Sequence, residues 1–343
     1  MKCLAAPPTS GEQDLPLQIR VSLGSAIVIG LLEGKLNAEP TTAYLMTFRT
    51  GKCSANCGFC PQARSSQSRA ELLSRVSWPA FSSRSVLDGI ESAVQAGKIK
   101  RVCIQALNYP NVFSYLAAFV KALKQHVTVP VSVSCQPLNK ANMQRLAEAG
   151  VDRIGIALDA ATEEVFDAVK GSGAGGPYNW GEQFRQLREA VEFFGRGNVS
   201  THVIVGLGET EKDAVGVIQE CVDMGVLPAL FAFTPVHGTA LALKPQPKLE
   251  VYRRVQVARH LIVNHVARAD GMRFDSGGRI VSFGVGESQL EQVVKSGAPF
   301  LTSGCSGCNR PFYNEKPSGP FYNYARKMTP EEIAVAKKQL TLK

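Results

Sequence analysis

The chain has 343 residues, of which 45% are hydrophobic and 20% charged, and a formal charge of +9. That balance belongs to a globular chain with material for a large core, and the length suits one big α/β unit. No apolar run of about 18 residues occurs, which excludes a spanning helix. The basic excess comes without a basic run or an RNA-binding signature, so an acidic partner or charged substrate is expected rather than nucleic acid or a membrane surface.

The start, "MKCLAAPPTSGEQDLP", turns polar by its ninth residue and lacks the apolar stretch of a signal peptide, so a cytoplasmic location is expected. Residues 15–36 carry helix-spaced apolar positions and predict a leading helix. From there strands and helices alternate. "TTAYLMTF" (41–48) predicts a strand running into a cysteine loop, residues 84–97 a glycine-ended helix, and "KRVCIQAL" (100–107) a strand. Helix 112–126, strand "PVSVSC" (130–135), helix 139–150 and strand "DRIGIALD" (152–159) follow. Then come helices 163–169 and 181–194, strand 198–209, helix 211–225, strand 227–235, helix 249–265 and a short strand "MRFDS" (272–276). Short, mostly apolar strands separated by helices predict a parallel sheet covered on both faces, and seven or eight such units predict closure into a (β/α) barrel. The expected organisation is an extension over 1–40, an α/β barrel of TIM type over 41–298, and a cap over 299–343 that ends in a helix. Barrel sites gather at the carboxyl ends of the strands. Cys53–Cys60, Cys103, Cys135, Asp159 and Gly206–Glu209 all fall there.

The loop "GKCSANCGFCPQ" (51–62) places Cys53, Cys57 and Cys60 within eight residues and has no fourth cysteine nearby. Thiolates are soft ligands for zinc, Cu(I) or iron–sulfur clusters. A structural zinc site wants four ligands, and Cys305 and Cys308 are a pair able to complete one. The other reading is a [4Fe–4S] cluster with three irons held and the fourth open to the amino and carboxylate groups of S-adenosylmethionine. One-electron cleavage there yields a 5′-deoxyadenosyl radical, chemistry that belongs to the cofactor while the protein positions it.

The C-x-x-x-C-x-Φ-C spacing, with Phe59 before the third cysteine and a barrel strand before the loop, resembles the radical SAM superfamily. "CGFCPQAR" resembles biotin synthases, which carry "CPQS" after their third cysteine. "RVCIQALNYPN", "VSVSC", "ALDAAT", "VIVGLGET" and "MRFDSGGR" resemble further biotin synthase segments in the same order, over about residues 40–290. The resemblance implies a radical SAM barrel with S-adenosylmethionine as the missing fourth ligand. It makes Cys53, Cys57 and Cys60 the catalytic cluster ligands. Phe59, Gln105, Ala106, Asp159, Gly206, Gly208 and Glu209 become cofactor- or substrate-facing. For Asp159 the alternative is a helix cap beside Thr162, and for His202 a hydrogen-bonded core histidine.

Biotin synthases hold a second, [2Fe–2S] cluster through three cysteines and an arginine. Cys103 and Cys135 match two of those cysteines and Arg273 the arginine, whereas Ser200 stands where the third cysteine belongs. The tail adds Cys305 and Cys308. An auxiliary [4Fe–4S] cluster on Cys103, Cys135, Cys305 and Cys308 is therefore expected, with Cys3 a further candidate ligand and Cys221 a core residue. Trp78, Tyr178 and Trp180 are expected to frame the site, and Tyr322, Asn323, Tyr324 and Arg326 to grip substrate.

The resemblance extends to a component of the two-protein lipoyl synthase, which implies sulfur insertion into an octanoyl chain. Its implied partners are an acidic lipoyl-domain or H carrier protein, a second radical SAM protein and an electron donor such as ferredoxin. The alternatives are biotin-type sulfur insertion, an auxiliary cluster used only for electron relay or substrate binding, and a zinc module.

Overall fold

The computed structural model describes residues 15–342. Its elements in chain order are β1 (Gln18–Val21), α1 (Leu23–Val28), β2 (Thr42–Thr47), β3 (Leu72–Leu73), β4 (Val76–Ser77), β5 (Ala80–Ser82) and α2 (Ser83–Gln95). They continue with β6 (Arg101–Gln105), α3 (Val112–His126), β7 (Val131–Ser134), α4 (Lys140–Glu148), β8 (Arg153–Gly155), α5 (Glu163–Val169) and α6 (Trp180–Phe194). The last are β9 (Val199–Val205), α7 (Glu211–Met224), β10 (Val226–Ala232), α8 (Leu249–Val263), β11 (Arg273–Phe274), β12 (Ile280–Ser282), α9 (Glu287–Lys295) and α10 (Pro330–Gln339).

Strands β2, β6, β7, β8, β9 and β10 pair in parallel in that order, and β1 and β5 add an antiparallel flank beyond β2. Helices cover the outside of the sheet. Helix α2 shows why: Val86, Leu87, Ile90 and Ala93 recur at helical spacing and are buried, which leaves the polar stripe to water. Helix α7 is bounded by a Thr210–Asp213 capping box and by Gly225 at φ 86, a left-handed closure that glycine adopts without strain. This is the barrel-like α/β fold expected. Two details differ. The helix expected over 15–36 is cut down to six-residue α1 preceded by β1, because Gln18–Val21 finds a partner in the flank of β2. The strand expected at 272–276 leaves the barrel and pairs only with β12, so six parallel strands line the barrel instead of seven or eight.

The sheet stays open between β10 and the β1–β5 flank, and the tail lies against β10 and across the start of β2. Leu230 N on β10 donates to Ser303 Oγ at 2.7 Å, and Asn314 Nδ2 donates to Ala232 O at 2.8 Å. On the other side Thr41 Oγ1 donates to Gly307 O at 2.6 Å and Arg310 N to Tyr44 Oη at 2.8 Å. An edge strand's unpaired backbone needs such cover. Among the described residues no helix is long and apolar enough to cross a membrane.

Candidate active site

Side-chain alternation along the strands decides what faces the barrel interior. In β9, Val199, Thr201, Val203 and Val205 are buried towards the helices, while Ser200, His202 and Ile204 line interior cavities. In β6 the interior residues are Cys103 and Gln105, and in β7 Ser132 and Ser134. Gln105, Ser134, His202, Phe231 and Tyr313 are shared by two stacked cavities. Towards the carboxyl ends, Leu107, Gln136 and Ile204 line only the smaller cavity, of about 180 Å³. Towards the amino ends, Cys103, Ser132 and Ser200 line only the larger, of about 410 Å³.

The smaller cavity is roofed by the cysteine loop. Cys53 N donates to Gln62 O at 3.0 Å, Ser54 N to Asn108 O at 2.7 Å and Gly58 N to Val169 O at 2.7 Å. Lys52 Nζ pins the loop's exit through Pro61 O and Ser68 O at 2.7 and 2.6 Å. Cys53, Cys57 and Cys60 all line this cavity, together with Phe59, Gln105, Ala106 and Asp159. Cys53 Sγ accepts the Asn108 amide at 3.1 Å and the Ala55 amide at 3.5 Å. Burial pushes the Cys60 thiol up to about 12, with Cys53 adding to the rise against the Gln62 amide. Burial also raises Cys57, opposed by Lys170. Thiols held this way become thiolates when a cationic metal group compensates them.

Such a donor set fits an iron–sulfur cluster: three soft ligands from one short loop, with amides aimed at Cys53 Sγ. Among the described residues no three His, Cys, Asp or Glu side chains close around a single ion. The thiolates of an iron–sulfur cluster each hold a different iron and so stand apart.

Asp159 follows β8 at φ 67 and is buried. Its Oδ2 meets Lys170 Nζ at 2.7 Å, and both side chains are withdrawn from solvent. Lys170 also donates to Gln136 Oε1 at 3.2 Å and to Ala157 O, and lies over the Tyr178 ring at 5.1 Å. The helix-cap alternative is therefore overturned. Thr162 caps α5 by accepting from Val165 N, while the Asp159 carboxylate lines the cavity. His202 is no ordinary core residue either. It lines both cavities, packs edge-on against Phe231, and its Nδ1 lies 3.9 Å from Asp159 Oδ1. Burial lowers its pKa to about 4 against the pull of Asp159.

Gly206, Gly208 and Glu209 end β9 outside both cavities. The Glu209 carboxylate accepts the Gly206, Leu207 and Gly208 amides at 2.6, 3.0 and 3.0 Å, so the glycine turn is clasped by its own acid.

The larger cavity brings Cys103 together with Cys305 and Cys308 of the tail. Tyr44 Oη lies 3.3 Å from Cys308 Sγ, Ser132 Oγ 3.7 Å from Cys305 Sγ, and Gln105 Nε2 donates to Cys103 Sγ at 3.3 Å. Burial raises the Cys103 thiol, and charge on Cys305 and Cys308 raises it further. Cys135 does not join this group. It falls one residue past β7, out of phase with Ser132 and Ser134, and lines the cysteine-loop cavity, where burial alone raises its thiol. Arg273 is exposed in the β11–β12 hairpin, away from both cavities. Arg75 and Arg310 line the larger cavity instead; the Arg310 guanidinium sits 3.8 Å from the Phe231 ring centre, and its buried Nε finds no hydrogen-bond partner among the described residues.

Trp78 and Tyr178 line the cavities, but Trp180 packs between Phe166 and Phe184. The expected substrate-gripping residues are structural. Tyr322 donates to Pro247 O, Asn323 accepts from Tyr252, Tyr324 pairs with Leu301, and Arg326 bridges to Glu332. Cys221 is buried in α7, and Cys3 lies outside the described residues. Lys170, Arg310 and Tyr44 had no motif to signal them. Only the threading of the tail and the strand register bring them to the site.

The model of the radical SAM superfamily matches residues 47–221. The chain belongs to the radical SAM superfamily. It is similar to the biotin synthase of Acinetobacter calcoaceticus, 25% identical over 250 residues that make up 67% of each chain. The biotin synthase of Synechococcus elongatus is 27% identical over 228 residues, 64% of this chain and 67% of its own. Among solved structures, the FeFe-hydrogenase maturase HydG from Carboxydothermus hydrogenoformans superposes with a TM-score of 0.50 at 18% identity. That superposition covers 65% of this chain and 51% of the maturase. Methylornithine synthase (PylB) gives the same TM-score at 11% identity, over 70% of this chain and 66% of its own. These structures share the fold. Membership makes this a radical SAM enzyme related to biotin synthase, with a [4Fe–4S] cluster and S-adenosylmethionine as its cofactors.

Proposed function

We propose that the chain is a sulfur-inserting radical SAM enzyme, with Cys53, Cys57 and Cys60 holding the catalytic cluster and Cys103, Cys305 and Cys308 holding an auxiliary one. The observation that carries this reading is the stacking of two cysteine-lined cavities that share Gln105, Ser134, His202, Phe231 and Tyr313. The bound cluster and S-adenosylmethionine supply hydrogen-atom abstraction from an unactivated carbon. The residues around them do the rest. Asp159, oriented by Lys170, offers a fixed carboxylate oxygen to a hydroxyl or ammonium of the cofactor or substrate. Phe231, Tyr313 and Trp78 keep the space between the cavities dry, which protects a reactive carbon from side reactions.

The finer assignment is a lipoyl synthase component acting on an octanoyl chain borne by an acidic carrier, with a second radical SAM protein and a ferredoxin-type donor. The formal charge of +9 supports an acidic carrier. Ser200 among the chamber residues, and Arg273 outside them, weigh against a biotin-type sulfur donor. The test is anaerobic reconstitution followed by mass spectrometry of an octanoylated carrier after incubation with S-adenosylmethionine and reductant. About eight irons per chain and a mass gain from sulfur support the proposal. About one zinc per chain, without sulfide or 5′-deoxyadenosine, sinks it.

A further inference from the structure

The larger cavity does more than hold three cysteines. It runs from the residues shared with the smaller cavity towards the amino ends of the strands and reaches the surface there. Of its lining residues, Leu23, Lys35, Asn37 and Pro317 are exposed. Pro40, two residues before β2, lies at the same end, and an added side chain on Gly24 would touch it at 3.7 Å. The smaller cavity has no exposed lining residue, and the cysteine loop, β3 and the tail contribute to its walls. Barrel enzymes ordinarily load from the carboxyl ends of their strands. Here that end is taken by the cysteine loop and leads into the smaller space.

We infer that the chamber has its own entrance at the amino end of the barrel, and that an unbranched apolar chain threads through it with an anionic or carrier-borne end left outside beside Lys35. This rests on the proposed sulfur insertion, which needs a carbon brought between the two sets of cysteines. The chemistry of the bore points to that occupant. Between the rim and the cysteines it is walled mainly by Leu36, Ala38, Val76 and Trp78, whose one polar side-chain atom is the Trp78 indole N–H, so that a polyhydroxylated ligand finds few partners and an apolar chain a dry fit. Lys35 at the rim supplies an exposed charge suited to a carboxylate, phosphate or acidic protein surface, whereas Arg75 and Arg310, which also line the cavity, donate to the tail carbonyls of Phe312 and Ser303; the chain's positive charge steers an anionic end towards the rim. A chain inserted tail-first passes Cys305 and Cys308 and ends at His202 and Phe231, the residues shared with the catalytic cavity.

The experiment is photo-labelling of the full, cluster-reconstituted chain under anaerobic conditions. The probe is a straight medium-chain fatty acid bearing a diazirine near its carboxyl end, and labelled peptides are mapped by mass spectrometry. Saturable labelling at Leu36, Val76 and Trp78 is expected. Ala38→Trp narrows the bore and should lower labelling about tenfold. Lys35→Glu sits on the exposed rim, leaves the bore open, and keeps the test valid if the tryptophan variant fails to fold. It should weaken labelling by the acid roughly threefold and leave labelling by its methyl ester unchanged. Labelling confined to residues 49–62 and to Leu73, or labelling indifferent to both substitutions, overturns the entrance. Failure of the sulfur-insertion reading looks different: labelling at the bore persists, and no sulfur appears on the carrier although 5′-deoxyadenosine forms.

Discussion

Tyr44 Oη and Cys308 Sγ lie 3.3 Å apart, although 264 residues separate them in the chain. The same hydroxyl accepts the Arg310 amide at 2.8 Å. Tyr44 stands opposite Cys103 in the β2–β6 register, and Cys103 stands opposite Ser132 in the β6–β7 register. One rung of three neighbouring strands thus receives the tail. Tyr44→Phe keeps the ring and removes the hydroxyl, leaving a buried amide without its acceptor. A loss of about 1–3 kcal/mol in denaturant unfolding is expected. A change near zero would mean that the tail is fastened elsewhere.

Replacing both Cys305 and Cys308 by alanine separates the two cysteine groups. The loop ligands remain, so 5′-deoxyadenosine should still form. Iron should fall by about half, as one of two cysteine-held clusters is lost. The carrier should gain no sulfur mass. Sulfur addition by this double variant would assign the pair to folding or electron relay.

Lys170 and Asp159 form an ion pair with almost no solvent access. Removing one partner of such a pair typically costs about 3–5 kcal/mol, because a buried charge is left alone. Lys170→Met should therefore destabilise the chain by about that amount. The double variant Lys170→Met with Asp159→Leu should recover most of the loss, as read by chemical denaturation. A single variant as stable as the parent would show that water reaches this corner of the barrel.

His202 has its pKa lowered by burial from 6.5 to about 4, with Asp159 opposing and Arg310 and Lys170 reinforcing the shift. In the unfolded chain it takes up a proton near pH 6.5, and in the folded chain only near pH 4. Between those values the unfolded state binds more protons, so stability falls as pH drops through the window and is unaffected by this group above it. His202→Gln should flatten that part of the stability–pH curve. An unchanged slope between pH 6.5 and 4 would place the imidazole in contact with water.

The three-cysteine loop was legible because everything that shapes it is local. Cys53, Cys57 and Cys60 sit within eight residues, follow a strongly apolar strand, and fold onto one cavity through hydrogen bonds such as Lys52 to Pro61. The alternation of helices and strands was legible for a similar reason, since burial on both faces writes an apolar run into each parallel strand. Residues 15–36 were misread because Gln18–Val21 is held in a strand by a partner in β2, which helical spacing within the segment cannot reveal.

The sequence by itself determined the helix–strand alternation and the three-cysteine loop, because both are set by neighbours a few residues apart. Tertiary structure alone decided which other cysteines meet. Cys103 and Cys135 look equivalent in sequence, each near the carboxyl end of a strand, yet Cys103 faces the interior from within β6 and joins the larger chamber, whereas Cys135 lies just past β7, out of phase with the interior residues, and lines the smaller. Cys305 and Cys308 reach Cys103 because β10 is left as an open edge and the tail lies along it, satisfying β10 backbone groups and hydrogen-bonding the Thr41 and Tyr44 side chains. Strand register and edge pairing act between segments hundreds of residues apart, and neither leaves a periodic trace in the segments they join.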